Sequence, residues 1–367
     1  MNMQQRMEAL KRRLSGQGIQ VGIVTSPDNV FYFTGFMSDP HERVLAAVFF
    51  EDSDPFLICP LMEAPDAVRS GFPHSVIGYG DAEDPWKKLK EEVEKRAGTV
   101  KRIGIEKSHL NVERFEILQS SFPSSGFIPL EETINELRLI KDERELERLR
   151  KAGEWADRAI EIAIRHLKEG VTELEVAAAI EYELKRNGIE QMSFPTTVLF
   201  GANAASPHGN PGTNKLKKGD LVLFDLGVVY EGYCSDITRT VAFGEVTEEQ
   251  RTVYETVRKA QEAAVALCKP EITCAELDRE ARNVIEKAGF GPYFTHRLGH
   301  GLGIGIHEYP SVSETNGMPL QKGMVFTVEP GIYIPGKIGV RIEDDVCVTE
   351  DGCEVLTRFP KTLQIIG

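Results

Sequence analysis

Lys218-Gly-Asp-Leu-Val-Leu-Phe-Asp225-Leu-Gly227 recurs later in the chain as Lys322-Gly-Met-Val-Phe-Thr-Val-Glu329-Pro-Gly331. Both stretches open on a Lys-Gly turn, run through a short apolar strand and carry an acidic residue two positions before a glycine. An earlier pair keeps the same order: Lys168-Glu-Gly-Val-Thr172-Glu-Leu-Glu175 is answered by Lys269-Pro-Glu-Ile-Thr273-Cys-Ala-Glu276. In each of these a Thr-x-x-Glu capping box, whose hydroxyl and carboxylate satisfy orphan N–H groups, starts a helix that ends near Gly188 or Gly289. Two matched pieces in one order are hard to obtain by chance from common cap and strand-start chemistry, so this is an internal repeat. Each half reads as a long helix, a capped helix and an antiparallel strand pair. Two such units bury their sheets under their helices, which predicts a pseudo-twofold α+β domain.

Upstream of the repeat the pattern changes. Short apolar runs (Val21 to Thr25, Val44 to Phe50, Phe56 to Cys59, Arg102 to Glu106) alternate with helical stretches (Pro85 to Arg96, Val112 to Ser120), as in a smaller α/β layer domain. A long helix from Asp142 to Leu167 follows, with Leu146, Leu149, Ala152, Ala156, Ile160 and Ala163 at helical spacing. The boundary is placed near residue 136, giving domains 1–136 and 137–367.

The composition narrows the function classes. With 43 Lys+Arg against 57 Asp+Glu the net charge is −14, so the chain lacks the basic balance that nucleic acid or an anionic membrane requires. No stretch approaches the ~20 apolar residues of a membrane span. The first residues read as an amphipathic helix, Met1 to Leu14, with no export signal after it. Six cysteines without a CxxC pair read as reduced, buried thiols of a cytoplasmic protein. A small molecule or peptide is the expected ligand.

The repeated carboxylates carry the chemistry. Alternation along Leu221 to Gly227 puts Asp225 on a face with Leu221 and Leu223, where core is expected. A hairpin centred between Tyr230 and Glu231 would set Asp225 across from Asp236, and one centred on Gly336 would set Glu329 across from Glu343. Like charges opposed at ~5 Å are destabilising, by ~3 kcal/mol per pair even at an effective dielectric of ~20. Taken singly, a strand-end carboxylate is a cap or a solvated side chain. Four at repeat-related places call for divalent cations between them. Arg341 shares a face with Glu343 and is placed to orient a carboxylate.

Four of the eight histidines, His208, His296, His300 and His307, fall in segments beside these strands. Thr295-His296-Arg-Leu-Gly299-His300-Gly-Leu-Gly-Ile-Gly305-Ile-His307 is a glycine-rich loop in which backbone can approach a site closely and imidazoles are the ring-nitrogen ligands on hand. Its glycines lack the G-x-G-x-x-G spacing of a dinucleotide loop.

These motifs together, Phe224-Asp225-Leu-Gly227, Gly232-Tyr-Cys-Ser-Asp236-Ile-Thr-Arg-Thr240, Gly299-His300-Gly-Leu-Gly303 with His307-Glu308, Val328-Glu329-Pro-Gly331 and Arg341-Ile-Glu343-Asp344, resemble those of the pita-bread metallopeptidases, in the Xaa-Pro aminopeptidase and Xaa-Pro dipeptidase (prolidase) branch. The resemblance spans nearly the whole chain. It implies a C-terminal pita-bread catalytic domain behind a noncatalytic creatinase-like domain, whose Asp28-Asn-Val-Phe-Tyr-Phe-Thr-Gly35 segment looks like the family's and which shapes the entrance and the contact of a homodimer. It further implies that Asp225, Asp236, His300, Glu329 and Glu343 hold two metal ions, that His208 and His307 contact substrate and tetrahedral intermediate, that His296 is a further active-site histidine, and that Arg341 supports the ligands.

The chemistry implied is hydrolysis of the bond before a proline at the second position of a small peptide. Bound divalent ions would lower the pKa of a water towards ~7 to supply hydroxide, and the resemblance gives Glu329 the role of moving its proton. Four carboxylates with one imidazole make a hard donor set, favouring Mn²⁺ or Co²⁺ over Zn²⁺. A metal-free creatinase-like hydrolase and a noncatalytic peptide-binding relative are the alternatives on the same fold; a methionine aminopeptidase would not require the preceding domain. One departure stands out: the dipeptidase branch is expected to carry an arginine shortly after the second loop histidine, and here His307 is followed by Glu308-Tyr-Pro-Ser311. Dipeptidase and aminopeptidase therefore both stay open.

Overall fold

The apolar runs before residue 136 gather into one sheet, and those after it into a repeated helix-and-sheet unit. The structure is a computed structural model and describes residues 1–367, which divide into two compact units, Met1–Arg138 and Leu139–Gly367.

The first unit runs α1 (Met3–Gly16), β1 (Val21–Val24), α2 (Pro27–Thr34), β2 (Ala46–Phe50), β3 (Phe56–Pro60), α3 (Ala64–Arg69), β4 (Ser75–Tyr79), α4 (Pro85–Ala97), β5 (Arg102–Ile105), α5 (Val112–Ser121), β6 (Gly126–Pro129) and α6 (Glu131–Leu139). The strands form one mixed sheet in the order β4-β3-β2-β1-β5-β6. The central strands β1, β2 and β3 are buried along their whole length, which is why they read as continuous apolar runs. The edge strands β4 and β6 are half exposed and carry no such run, so they were absent from the sequence expectation. Local polar groups set the helix starts: Asn2 builds a capping box on α1, and the Asp84 and Asn111 side chains accept from the first turns of α4 and α5. Ser26, at the start of α2, makes no side-chain cap; instead the buried Glu106 accepts from its N–H at 2.9 Å and its hydroxyl at 2.7 Å.

The second unit begins with α7 (Glu143–Arg165) and α8 (Glu173–Arg186), continues through β7 (Gln191–Met192), β8 (Thr197–Phe200), β9 (Asp220–Leu226), β10 (Val228–Tyr230), β11 (Tyr233–Cys234) and β12 (Ile237–Phe243), and then repeats with α9 (Glu248–Leu267) and α10 (Cys274–Lys287). After α10 come β13 (Gly299–Gly301), β14 (Glu308–Val312), β15 (Val325–Val328), β16 (Gly331–Ile334), β17 (Ile338–Arg341), β18 (Asp344–Val348), β19 (Cys353–Val355) and β20 (Ile365–Ile366). Two sheets carry the halves, β20-β12-β9-β8 and β14-β13-β15-β18-β19. The repeat is visible in detail. Thr172 and Thr273 both complete capping boxes, and isolated bridges join Thr172 to Lys215 and Thr273 to Pro319, at equivalent places in the two halves.

Each half has its own core. The apolar stripe of α7 (Ala152, Ala156, Ile160, Ala163) and the α8 residues Val176 and Ile180 pack on Val222, Phe224 and Leu226 of β9. In the second half Val253, Val257, Leu277 and Ala281 pack on Phe326, Val328 and Val346. Burying each such Val, Leu, Ile or Phe contributes roughly 1.5–3 kcal/mol, so this packing holds the sheets against their helices.

One register differs from the sequence expectation. The turn between β10 and β11 is Glu231-Gly232, both with positive φ (46° and 82°), so its centre lies one residue later than expected. A one-residue move of the centre shifts every partner by two, and Asp225 stands opposite Thr238 rather than Asp236. In the second half the strands on either side, Val328 opposite Asp344 and Gly331 opposite Arg341, keep the register in which Glu329 faces Glu343.

Candidate metal centre

Strand ends from both halves meet at one cavity. Asp225 lies near the end of β9, Asp236 immediately before β12, His300 on β13, Glu329 immediately after β15, Arg341 at the end of β17 and Glu343 immediately before β18. His208 sits in the loop that follows a 3-10 turn at Gly201–Ala205, His296 on the approach to β13, and His307 immediately before β14. All nine line a single cavity of about 460 Å³, completed by apolar walls from Phe194, Pro195, Pro207 and Ile306.

Asp236, His300 and Glu343 bring one ligand atom each within 4.8 Å of one another, all buried. His300 Nε2 lies 3.4 Å from Glu329 Oε1 and 3.7 Å from Asp236 Oδ2. Its Nδ1 lies 3.1 Å from the Gly301 carbonyl, which accepts only, so Nδ1 carries the proton and Nε2 turns a lone pair towards the carboxylates. Asp236 Oδ1 is buried without any hydrogen-bond partner. Asp225 is arranged differently: its Oδ2 is ion-paired with Arg341 Nη2, and it stands outside the tight three-residue group.

The hydroxyls of two threonines hold two of the carboxylates. Thr238 Oγ1 donates to Glu343 Oε2 at 2.6 Å while accepting from Arg341 Nε at 3.0 Å. Thr327 Oγ1 donates to Glu329 Oε1 at 3.2 Å while accepting from the His300 N–H at 3.1 Å. Behind them the Asp345 carboxylate accepts from the Asp236 N–H at 2.9 Å. Asp344, next to Glu343, points the other way by strand alternation, and Arg239 (2.6 Å) and Lys361 (2.7 Å) neutralise it.

Tyr333 links the second tier. Its hydroxyl accepts from Arg341 Nη1 at 2.7 Å and lies 3.0 Å from His296 Nε2, while His296 Nδ1 faces the Arg297 carbonyl at 2.8 Å. The consistent assignment has His296 protonated on Nδ1 and accepting from the tyrosine. Sequence reasoning passed over Tyr333, Thr238, Thr327 and Asp345. Tyr333 had a usable signal, because period-2 alternation from Glu329 through Gly331 sets it on the same face.

Electrostatically the centre is short of positive charge. Burial, then the charges of Glu343 and Asp225, pushes Asp236 well above the usual carboxylate range; burial, then Glu329 and Asp225, does the same to Glu343. Burial also pushes Glu329 up to about 7 and holds His300 down to about 3 and His296 down to about 4. His307, whose ring centroid is 4.1 Å from that of His300, is lowered by burial and by Arg297. Carboxylates that resist ionisation, an imidazole lone pair facing them and an orphaned Asp236 oxygen fit divalent cations, which would satisfy all three at once. Close backbone approach makes this geometry possible: a Cβ on Gly299 would fall on the Thr327 carbonyl.

The family model described as metallopeptidase family M24 matches residues 147–350, and the creatinase/prolidase N-terminal domain matches residues 6–140. The chain belongs to metallopeptidase family M24. This M24 chain is 46% identical over 362 residues to a protein from Lactobacillus delbrueckii subsp. lactis named Xaa-Pro dipeptidase, covering 98% of each chain. Its fold is similar to that of the recombinant prolidase from Thermococcus sibiricus (TM-score 0.94, 36% identity, 100% of each chain). It is also similar to the X-Pro aminopeptidase from Thermotoga maritima (TM-score 0.89, 34% identity, 98% of this chain and 99% of that one). The pita-bread catalytic fold, the creatinase-like N-terminal fold and the metallopeptidase class therefore follow, and divalent metal ions are the cofactor of the family. No helix is long and apolar enough to cross a membrane.

Proposed function

We propose that this chain is a cytoplasmic, homodimeric Xaa-Pro dipeptidase that holds two divalent ions, Mn²⁺ or Co²⁺, through Asp225, Asp236, His300, Glu329 and Glu343. The observation that carries the reading is the convergence of Asp236, His300, Glu343 and Glu329 on one point in a cavity lined by three further histidines. The relative named Xaa-Pro dipeptidase supports the substrate class. Bound divalent ions would polarise the scissile carbonyl and acidify a water enough to supply a nucleophile at neutral pH.

The protein's own residues do the rest. Glu329, reaching into the cavity with one oxygen on Thr327, is the group that moves a proton between water and leaving nitrogen. His208 and His307 line the same cavity, His307 with its ring centroid 4.1 Å from that of His300, and are assigned to donate to the oxygen on which charge develops. Arg341 fixes Asp225 and, through Tyr333, the ring of His296. Phe194, Pro195 and Pro207 provide apolar surface for a pyrrolidine ring. The N-terminal domain serves the contact between the two protomers.

The test is release of free proline from an Xaa-Pro dipeptide by protein stripped with chelator and reconstituted with Mn²⁺ or Co²⁺. No release under any metal sinks the reading. An Xaa-Pro aminopeptidase is the second reading, favoured by the absence of an arginine between His307 and Ser311, and cleavage of tripeptides at a rate equal to dipeptides would support it.

A further inference from the structure

Only two cationic side chains other than histidine line the cavity, Arg297 and Arg341. They differ in what they are free to do. Arg341 is buried and committed to Asp225, Thr238 and Tyr333. Arg297 is exposed, forms no ion pair, and makes a single side-chain hydrogen bond, Nη1 donating to the Ser311 hydroxyl at 3.2 Å. The neighbouring Arg282 is fully engaged, with Asp278 at 2.9 Å and the Phe294 and His296 carbonyls at 3.0 Å. A dipeptide brings its free carboxylate within one residue of the scissile bond, into a cavity walled by four acidic residues. The one uncommitted cation it can meet there is Arg297, whose fork geometry suits a carboxylate.

Arg297 also stands at a partition. A second, more open cavity of about 270 Å³ lies beside the first, and His296 and Arg297 are the residues common to both. Its remaining walls include Thr295, Ser313, Glu314 and Thr315, polar groups suited to peptide backbone. Ser311, opposite His300 in the β13–β14 register, accepts from the guanidinium and holds it on that partition.

We propose that Arg297 sets substrate length: it takes the terminal carboxylate of a two-residue substrate, held in place by Ser311, and in that position closes the catalytic cavity from the outer one. This rests on the Xaa-Pro reading above. An arginine reaching in from the β13 side thus does what Ser311, on the β14 side, cannot.

The experiment compares one dipeptide, Leu-Pro, with its amide, Leu-Pro-NH₂, and with Leu-Pro-Gly, on Mn²⁺-reconstituted wild type, Arg297→Met and Arg297→Lys. Wild type prefers the acid over the amide. In Arg297→Met, kcat/KM on Leu-Pro falls about 10- to 100-fold, chiefly through KM, as expected for one lost charge-assisted hydrogen-bonding group. Cleavage of the amide changes less than about threefold, so the preference collapses, and the tripeptide gains relative to the dipeptide. Arg297→Lys falls between, having the charge without the fork. The exposed position makes loss of fold a minor concern, and unchanged melting checks it. If wild type cleaves Leu-Pro and Arg297→Met keeps the full preference for acid over amide, the proposal is overturned while the Xaa-Pro reading stands. If wild type cleaves none of the three, the Xaa-Pro reading falls and takes this one with it.

Discussion

Nε2 of His300 faces Oε1 of Glu329 across 3.4 Å, and only a proton or a cation can sit between them. Glu329, pushed up to about 7 against an ordinary 4.5, takes protons in the folded chain that the unfolded chain has already released. Stability from such a group is complete below about pH 4.5 and is lost as the pH rises through about 7. Asp236 and Glu343 act in the same direction; His300, held at about 3, opposes them below its ordinary 6.5. Bound divalent ions replace the protons. The melting temperature of chelator-stripped protein is therefore expected to fall further below that of the metal-loaded protein at pH 8 than at pH 5, and metal addition near pH 6.5 should release protons into the buffer. A gap between loaded and stripped melting temperatures that does not change with pH would remove this account.

Glu329→Gln keeps the shape and hydrogen-bonding capacity of the side chain while removing its charge. Turnover should drop by roughly 10²–10⁴-fold. Without metal at pH 8 the variant should melt at or above the wild-type temperature, since one unfavourable buried charge has gone. Near-normal activity would end the role assigned to Glu329.

Arg341→Met breaks a largely buried pair and leaves Asp225 with no counter-charge (side chains 5% and 19% exposed). A loss of about 3 kcal/mol is expected in urea unfolding of the metal-free protein. Metal should restore part of it, because the ions neutralise the same carboxylate. Equal losses with and without metal would show that Asp225 is not among the ligands.

His296 stays neutral well below the usual imidazole range because burial outweighs its hydrogen bond to the Arg297 carbonyl. With a folded pKa of about 4 against an ordinary 6.5, the unfolded chain binds more protons in that window. Stability on the order of 2 kcal/mol should therefore disappear as the pH falls from about 6.5 to 4, and His296→Gln should flatten that slope. An NMR titration placing its midpoint near 6.5 would contradict the burial argument.

Gly299→Ala puts a methyl group onto the Thr327 carbonyl and must separate β13 from β15. A cost of about 1–3 kcal/mol is expected, together with weaker metal binding, because the same displacement carries His300 away from Glu329. Calorimetric metal affinity equal to wild type would show that the strands tolerate it.

The legibility of this molecule was uneven for physical reasons. Capping boxes at Thr172 and Thr273 and the apolar stripe of α7 are local chemistry, and they were readable residue by residue. The partner of Asp225 was not, because hairpin register depends on which two residues take positive φ, and the Glu231-Gly232 turn lies one residue beyond the centre expected. Edge strands β4 and β6 lack the apolar run that marks a buried strand. Thr238, Thr327 and Asp345 act through contacts across strands, and a hydroxyl that steadies a carboxylate looks, in one dimension, like any other strand threonine. Arg297 was visible within its histidine-rich loop, yet only the Ser311 contact and the two adjoining cavities distinguish it from a solvated arginine.

The doubled architecture has a consequence for synthesis. Asp225 and Asp236 come from the first half, His300, Glu329 and Glu343 from the second, and the parallel pairing of β20 with β12 closes the first-half sheet with residues near 365. A nascent chain that has emerged only as far as residue 340 holds four of the five acidic and imidazole groups but lacks Glu343 and that closing strand. The proposed centre is thus assembled only when the two halves clasp, and neither half by itself carries its five proposed ligands.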